Sequence, residues 1–320
     1  MTLKDAWFAT PGPDTPRQSL LLLLKGFCMG AADIIPGVSG GTIAFITNIY
    51  DQLMAAIKSF GLDALVRAAR LDVAGALSRV HLRFLTPLLL GVLLALASMA
   101  RLMHMLLAEH PVQVWALFFG LIAASILVVG RRVPGISVSN VLAGLAGALG
   151  SWHLVGMIPV ATPETPVFLF FCGALAICAM ILPGISGAFI LLLLGKYEFM
   201  TGALKAPFAD GNPLVILIFA AGALVGLLSF SRVLHWLLRH YHGLTVSLLT
   251  GVMAGAMRKV WPWKEVLETR LVGAREVVVR EQNVLPDVAA QGFWLAVGLM
   301  VLGFVLVLLL EYFSGSTAEQ

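Results

Sequence analysis

Apolar residues dominate this chain in long runs, and polar residues fall between them as short punctuation. A helix rising ~1.5 Å per residue needs about 20 apolar residues to cross ~30 Å of hydrocarbon, so runs of about 16 to 25 predict helices in a bilayer. Three such segments are predicted over 84–107, 111–129 and 135–158, and three more over 213–238, 243–257 and 293–313. Two further apolar stretches are folded around a Pro-Gly turn, PGVSGG from Pro36 and PGISG from Pro183. The arms flanking the second turn, 167–182 and 188–200, come to roughly 24 and 20 Å at helical rise, short of a full crossing. Both stretches are therefore expected to be re-entrant hairpins, with full spans as the alternative.

The two hairpins are copies. GFCMGAADIIPGVSGGTIAFITNIYD, from Gly26, returns 147 residues later without a gap as GALAICAMILPGISGAFILLLLGKYE, from Gly173. At a spacing of 131, Gly91, Ser98, Arg101, His104, Gly120 and Ala123 then meet Gly222, Ser229, Arg232, His235, Gly251 and Ala254. The change of spacing places 16 extra residues of the first half within 58–83. There, Arg67, Arg70, Arg79 and Arg83 alternate with apolar residues, as in a surface amphipathic helix or a plain basic loop. The expected fold is thus all-α and integral to the membrane: a polar segment over 1–17, then one repeat over 18–160 and a second over 161–314. Each repeat is a re-entrant helical hairpin plus three transmembrane helices. A hairpin returns the chain to its starting side and three crossings are odd, so the second repeat is expected to be inverted.

Composition fits this reading, with 59% hydrophobic and 12% charged residues, where an ordinary soluble domain has about 45–50% apolar and about 25% charged. Lys4, Arg17, the 58–83 segment, Arg131, Arg132 and Arg239 gather on one predicted face, which the positive-inside rule makes cytoplasmic, with both termini on it. The basic residues of 258–287 argue the other way but are interleaved with Glu265, Glu268, Glu276 and Glu281. No removable signal peptide is expected, because the first apolar run stops at Lys25 without a small-residue cleavage site. The formal charge of +4 is modest and forms no stripe, so nucleic acid is not an expected partner. Cys28, Cys172 and Cys178 have neither disulfide nor metal spacing, and no metal or cofactor is expected.

The turns are where chemistry is expected. Proline removes a backbone donor and glycine admits positive φ, so each turn breaks its apolar segment, and broken backbone at membrane depth persists only where protein or water surrounds it. Helix N-termini left by such breaks favour anions. Gly37, Ser39, Gly40, Gly41 and Thr42 in the first turn, with Gly184, Ser186 and Gly187 in the second, are the candidate anion-binding residues, and packing of small residues is the competing role. Arg101 and Arg232 are candidate phosphate contacts, with snorkelling to the headgroups as the alternative. Asp33, one turn before the first proline, has Met180 as its counterpart; it is the candidate for ion coupling, or else a partner for Lys25. Asp51, Glu198, Lys196, Tyr50 and Tyr197 are expected at the interface as anchors.

MGAADIIPGVSGGTIAFITNIYDQL from Met29 and AMILPGISGAFILLLLGKYE from Ala179 resemble the motifs of the bacterial polyprenyl-phosphate transporter family, over nearly the whole chain. The departure is Asn48, where glycine is expected before the Ile-Tyr pair. The resemblance implies a transporter in the bacterial cytoplasmic (inner) membrane that returns undecaprenyl phosphate from the outer to the inner leaflet, with polyprenyl phosphate and membrane lipids as partners. Inward movement of negative charge is opposed by about 2.3 kcal/mol per charge per 100 mV, so a coupling proton or sodium ion is expected. Two other readings compete: a secondary carrier of a small soluble anion, which would use the same turns, and a membrane lipid phosphatase. No nucleophile sits beside a base with an orienting carboxylate, so no catalytic residue is assigned and the chain is not expected to be an enzyme.

Overall fold

The computed structural model describes residues 2–34, 39–61, 63, 66–67, 70, 72–135, 137–157, 160, 162–209, 211–272 and 275–315, without the side chains of 3, 100, 101, 104, 270–272, 275–280, 310 and 313–315. The first half holds α1 (Leu3–Phe8), α2 (Pro16–Asp33), α3 (Gly40–Ile46), α4 (Tyr50–Lys58), α5 (Val73–Leu77), α6 (Leu82–Glu109), α7 (Pro111–Gly130) and α8 (Val138–Val155). The second holds α9 (Pro166–Ile181), α10 (Gly187–Leu193), α11 (Tyr197–Lys205), α12 (Asn212–His240), α13 (His242–Val260), β1 (Lys264–Val272), β2 (Arg275–Asn283) and α14 (Phe293–Gly315).

Local signals account for many of the boundaries. The Thr15 hydroxyl accepts from the Gln18 amide, with Pro16 at the first helical position, and Thr165 and Pro166 open α9 in the same way. The second arm of each hairpin is itself broken. Helices α10 and α11 meet at 113°, so α10 reaches only about 10 Å at helical rise rather than the 20 Å expected for an unbroken arm. The bend is made by Gly195 at φ +63°, and its counterpart in the first half is Asn48 at φ +60°. This explains the departure from glycine noted above: asparagine is among the few other residues that tolerate the left-handed region.

Packing repeats with the sequence. Helix α2 lies along α6 and α9 along α12. Gly26 and Gly91 bring the first pair together against the backbones of Leu88 and Leu23, as Gly173 and Gly222 do for the second against Phe219 and Phe170. The other long helices exchange partners between halves: α7 packs on α14, with Gly120 on Met300, and α13 packs on α8, with Gly251 on Gly144.

Four described helices are long and apolar enough to cross a membrane, with windows Leu82–Met99, Pro111–Gly130, Val138–Val155 and Asn212–His240. Leu142 and Leu149 of α8 are 60% and 69% exposed, as a lipid-facing side would be. Helix α13, expected as a span, carries Arg258 and Lys259 and is less apolar; it buries Val246, Leu249, Met253 and Val260. The hairpin of β1 and β2, antiparallel from Lys264↔Asn283 to Val272↔Arg275, is an element the run pattern does not predict.

Between Lys58 and Arg83, α5 is a five-residue helix. Exposed ion pairs Arg67–Asp72 and Arg79–Asp63 lie in the same segment. Arg83 is buried instead of facing solvent. Its guanidinium donates to the carbonyls of Phe8, Gly12 and Pro13 and to Asp14, tying the N-terminal segment to α6.

Candidate functional site

Ser39 and Thr42, which follow the first Pro-Gly pair, meet the second Pro-Gly turn in the interior. Ser39 caps α3 and is 1% exposed; its hydroxyl accepts from the Gly41 amide at 3.1 Å and faces the carbonyls of Leu182 at 3.1 Å and Met180 at 3.2 Å. In return, the Gly184 amide of the second turn donates to Thr42 Oγ1 at 3.0 Å. Tyr50, 2% exposed, donates to the Ile181 carbonyl at 3.1 Å. These bonds satisfy the carbonyls at the end of α9 that have no partner within their own helix.

Space as well as hydrogen bonding fixes the contact. A Cβ on Gly41 would stand 2.7 Å from the Ile181 carbonyl oxygen, and one on Gly184 would stand 2.9 Å from Met253 Cα. Gly184 also lies at φ +92°, a conformation open to glycine and costly for other residues.

The turns differ in charge. Asp33 Oδ1 accepts from the Gly40 amide at 2.6 Å, so the N-terminus of α3 already faces a carboxylate. In the second turn, Met180 takes the matching place. A Cβ on Gly40 would meet Asp33 Oδ2 at 2.6 Å, and one on Gly187 would meet Met180 Cγ at 2.6 Å. Ser186, 6% exposed, makes no capping hydrogen bond.

The structure thus brings together Asp33, Ser39, Gly40, Gly41, Thr42 and Gly184, with Ser186 and Gly187 opening the adjacent α10. Gly37 lies outside the described residues, as does the side chain of Arg101, whose backbone belongs to α6. Arg232 is turned elsewhere: it donates to the Leu228 carbonyl at 2.6 Å and the Phe60 carbonyl at 3.2 Å. Lys25 donates to the Thr47 carbonyl at 2.9 Å, at the end of α3, so the alternative pairing with Asp33 is not formed.

Two expected anchors are interior groups. Tyr50 is the interhelical donor just described, and Lys196, 2% exposed, donates to the Thr162 carbonyl at 2.6 Å and pairs with Glu164 at 3.6 Å. Tyr197 is 40% exposed, in keeping with an anchor. The cluster of Lys259, Lys264 and Glu281 is absent from the sequence-based site. Its members come from a helix end and two paired strands, which spacing alone does not bring together. Among the described residues, no group of three or more His, Cys, Asp or Glu side chains is placed to hold a metal ion.

Fold and interior define a multi-pass helical membrane protein whose two broken helices hydrogen-bond to each other across the core. The chain belongs to the VCA0040-like family, described as undecaprenyl phosphate translocase-like, whose match covers residues 29–277. A Vibrio cholerae protein named polyprenyl-phosphate transporter is 41% identical, over 91% of this chain and 96% of its own length. A Staphylococcus aureus protein of the same name is 32% identical, over 75% of this chain and 85% of its own. No solved structure matches the chain. The family and both relatives are named as transporters rather than enzymes.

Proposed function

We propose that the chain carries polyprenyl phosphate, undecaprenyl phosphate in particular, from the outer to the inner leaflet of the bacterial cytoplasmic membrane. The observation that carries this reading is the pair of turns joined by Ser39 to Met180 and Leu182 and by Gly184 to Thr42, at the core of a chain whose family is translocase-like. A phosphomonoester bears about −1.5 to −2 charges near neutral pH and does not cross hydrocarbon unaided. Interior backbone breaks and hydroxyls offer its headgroup a polar path while the isoprenoid tail stays in lipid.

The repeats are inverted in this reading, the hairpins re-entrant, and both termini cytoplasmic. Repeat-matched partners such as Gly26 with Leu88 and Gly173 with Phe219 support the duplication behind it. In this reading Ser39, Gly40, Gly41, Thr42, Gly184, Ser186 and Gly187 line the headgroup path, and Gly37, Arg101 and Arg232 are further candidate contacts, Arg232 only on leaving the Leu228 and Phe60 carbonyls to which it donates. Asp33 couples transport to a proton or sodium ion, because its carboxylate lies against Gly40 at the first turn.

The test is leaflet exchange of undecaprenyl phosphate in proteoliposomes, with uptake of inorganic phosphate measured in parallel. Exchange of the lipid without uptake is expected. Uptake without lipid exchange would assign a soluble-anion carrier instead.

A further inference from the structure

Beyond the turns, one charged cluster has no part in the proposed path. Lys259, in the last turn of α13, donates to Glu281 Oε1 at 2.6 Å. Lys264, at the start of β1, donates to the same oxygen at 3.1 Å and to the Lys259 carbonyl at 2.6 Å. Two ammonium groups share one carboxylate oxygen, which leaves the trio with one formal positive charge in excess. The side chains are sheltered: 10% exposed for Lys264, 22% for Lys259 and 27% for Glu281.

Aromatic faces complete the enclosure. Lys264 Nζ lies 4.5 Å from the Trp115 ring centroid and Lys259 Nζ 5.6 Å from that of Phe189. Phe189 belongs to the first turn of α10, immediately after the second Pro-Gly turn. Met253 and Ala256, which flank Gly184, precede Lys259 on the same helix. The cluster thus adjoins the second turn, the one that lacks a carboxylate like Asp33. At 131 residues, the counterpart of Lys259 in the first half is the buried Val128, so the first half does not repeat it.

A single carboxylate oxygen is an incomplete partner for two sheltered cations. A phosphomonoester brings more charge and three strong acceptor oxygens, enough to bond both ammonium groups. We propose that Lys259 and Lys264 form a phosphomonoester-binding station beside the second Pro-Gly turn, and that the Glu281 carboxylate occupies it until a phosphate headgroup displaces it. This rests on the transport reading above and adds a site to it. Glu281 lies near the end of β2 and is partly exposed, so it has solvent to move into. Asn283 and Val284 hold the base of the hairpin to the Arg258 and Trp263 carbonyls independently of it.

The experiment titrates the full chain in detergent with geranyl phosphate, a short soluble polyprenyl phosphate, and separately with inorganic phosphate, by calorimetry. Glu281→Gln, which removes a competing anion and keeps the side chain's size, is expected to tighten geranyl phosphate binding about tenfold. Lys264→Met is expected to weaken it about tenfold or more, and Lys264→Arg to restore most of the loss. A Glu281 that merely staples the hairpin gives the opposite sign, weaker binding in Glu281→Gln, and that result overturns the station. Wild-type binding unaltered in all three variants also overturns it while leaving the transport reading intact. Absence of binding to either ligand by the folded wild type overturns both. Equal affinity for inorganic phosphate would support the station and show that it reads the oxyanion rather than the lipid.

Discussion

At the residue scale, single atoms hold the two turns together. Ser39→Ala leaves the Met180 and Leu182 carbonyls without that hydroxyl, and unsatisfied buried polar groups cost about 1–3 kcal/mol. A lower thermal midpoint in detergent and slower leaflet exchange are expected. Gly184→Val places a branched side chain at φ +92° against Met253. Strain alone of about 1–3 kcal/mol is expected, and exchange should be abolished even in protein that still inserts. Asp33→Asn keeps an oxygen for the Gly40 amide but removes the charge. Its midpoint should stay near that of the wild type while the pH or sodium dependence of exchange disappears; an unchanged dependence would remove Asp33 from coupling. Burial lowers the pKa of Lys264 from 10.5 to about 8, a shift that the Glu281 charge opposes and Lys259 reinforces. Geranyl phosphate affinity should therefore fall as pH rises through about 8, because the ammonium loses its proton. Stability should move the other way between about 8 and 10.5, where the unfolded chain binds the proton that the folded one has released.

At the element scale, close helix crossings depend on repeat-matched glycines. Gly222→Leu would push α12 away from the Phe170 backbone of α9, and Gly91→Leu would do the same between α6 and α2. Both variants are expected to lose folded protein in size-exclusion and thermal assays, since overpacking commonly costs about 1–3 kcal/mol. The bend after α3 gives a milder contrast: Asn48→Gly should be tolerated, and Asn48→Val should destabilise through φ +60°. These elements also show what was readable beforehand. The Pro-Gly turns, the hairpin arms and the duplicated order follow from apolar runs and a gapless repeat. The break inside each second arm is carried by one residue, Gly195 or Asn48, within an apolar stretch that otherwise reads as continuous. The β-hairpin was hidden because its strands, KEVLETRLV and REVVVREQN, mix acidic and basic residues that read first as charge balance along a loop. Only their alternation with Val and Leu was a strand signal.

At the scale of the whole molecule, the sequence made the turns the candidates for anion chemistry and left their partners open. Spacing gives the Ser98-Arg101-His104 and Ser229-Arg232-His235 series a common helical side but says nothing of what faces them, and Arg232 reaches carbonyls instead. Lys259, Lys264 and Glu281 meet only through the fold. The exchange of partners between halves, α7 with α14 and α13 with α8, bears on how the protein is made. Gly120 waits for Met300, which leaves the ribosome 180 residues later, or about 10–40 s at about 5–20 residues per second. During that interval α7 stands in the bilayer with its small-residue seam facing lipid or another protein. A nascent chain halted before α14 should therefore be open to membrane quality-control proteases, and supplying 290–320 as a separate peptide should protect it.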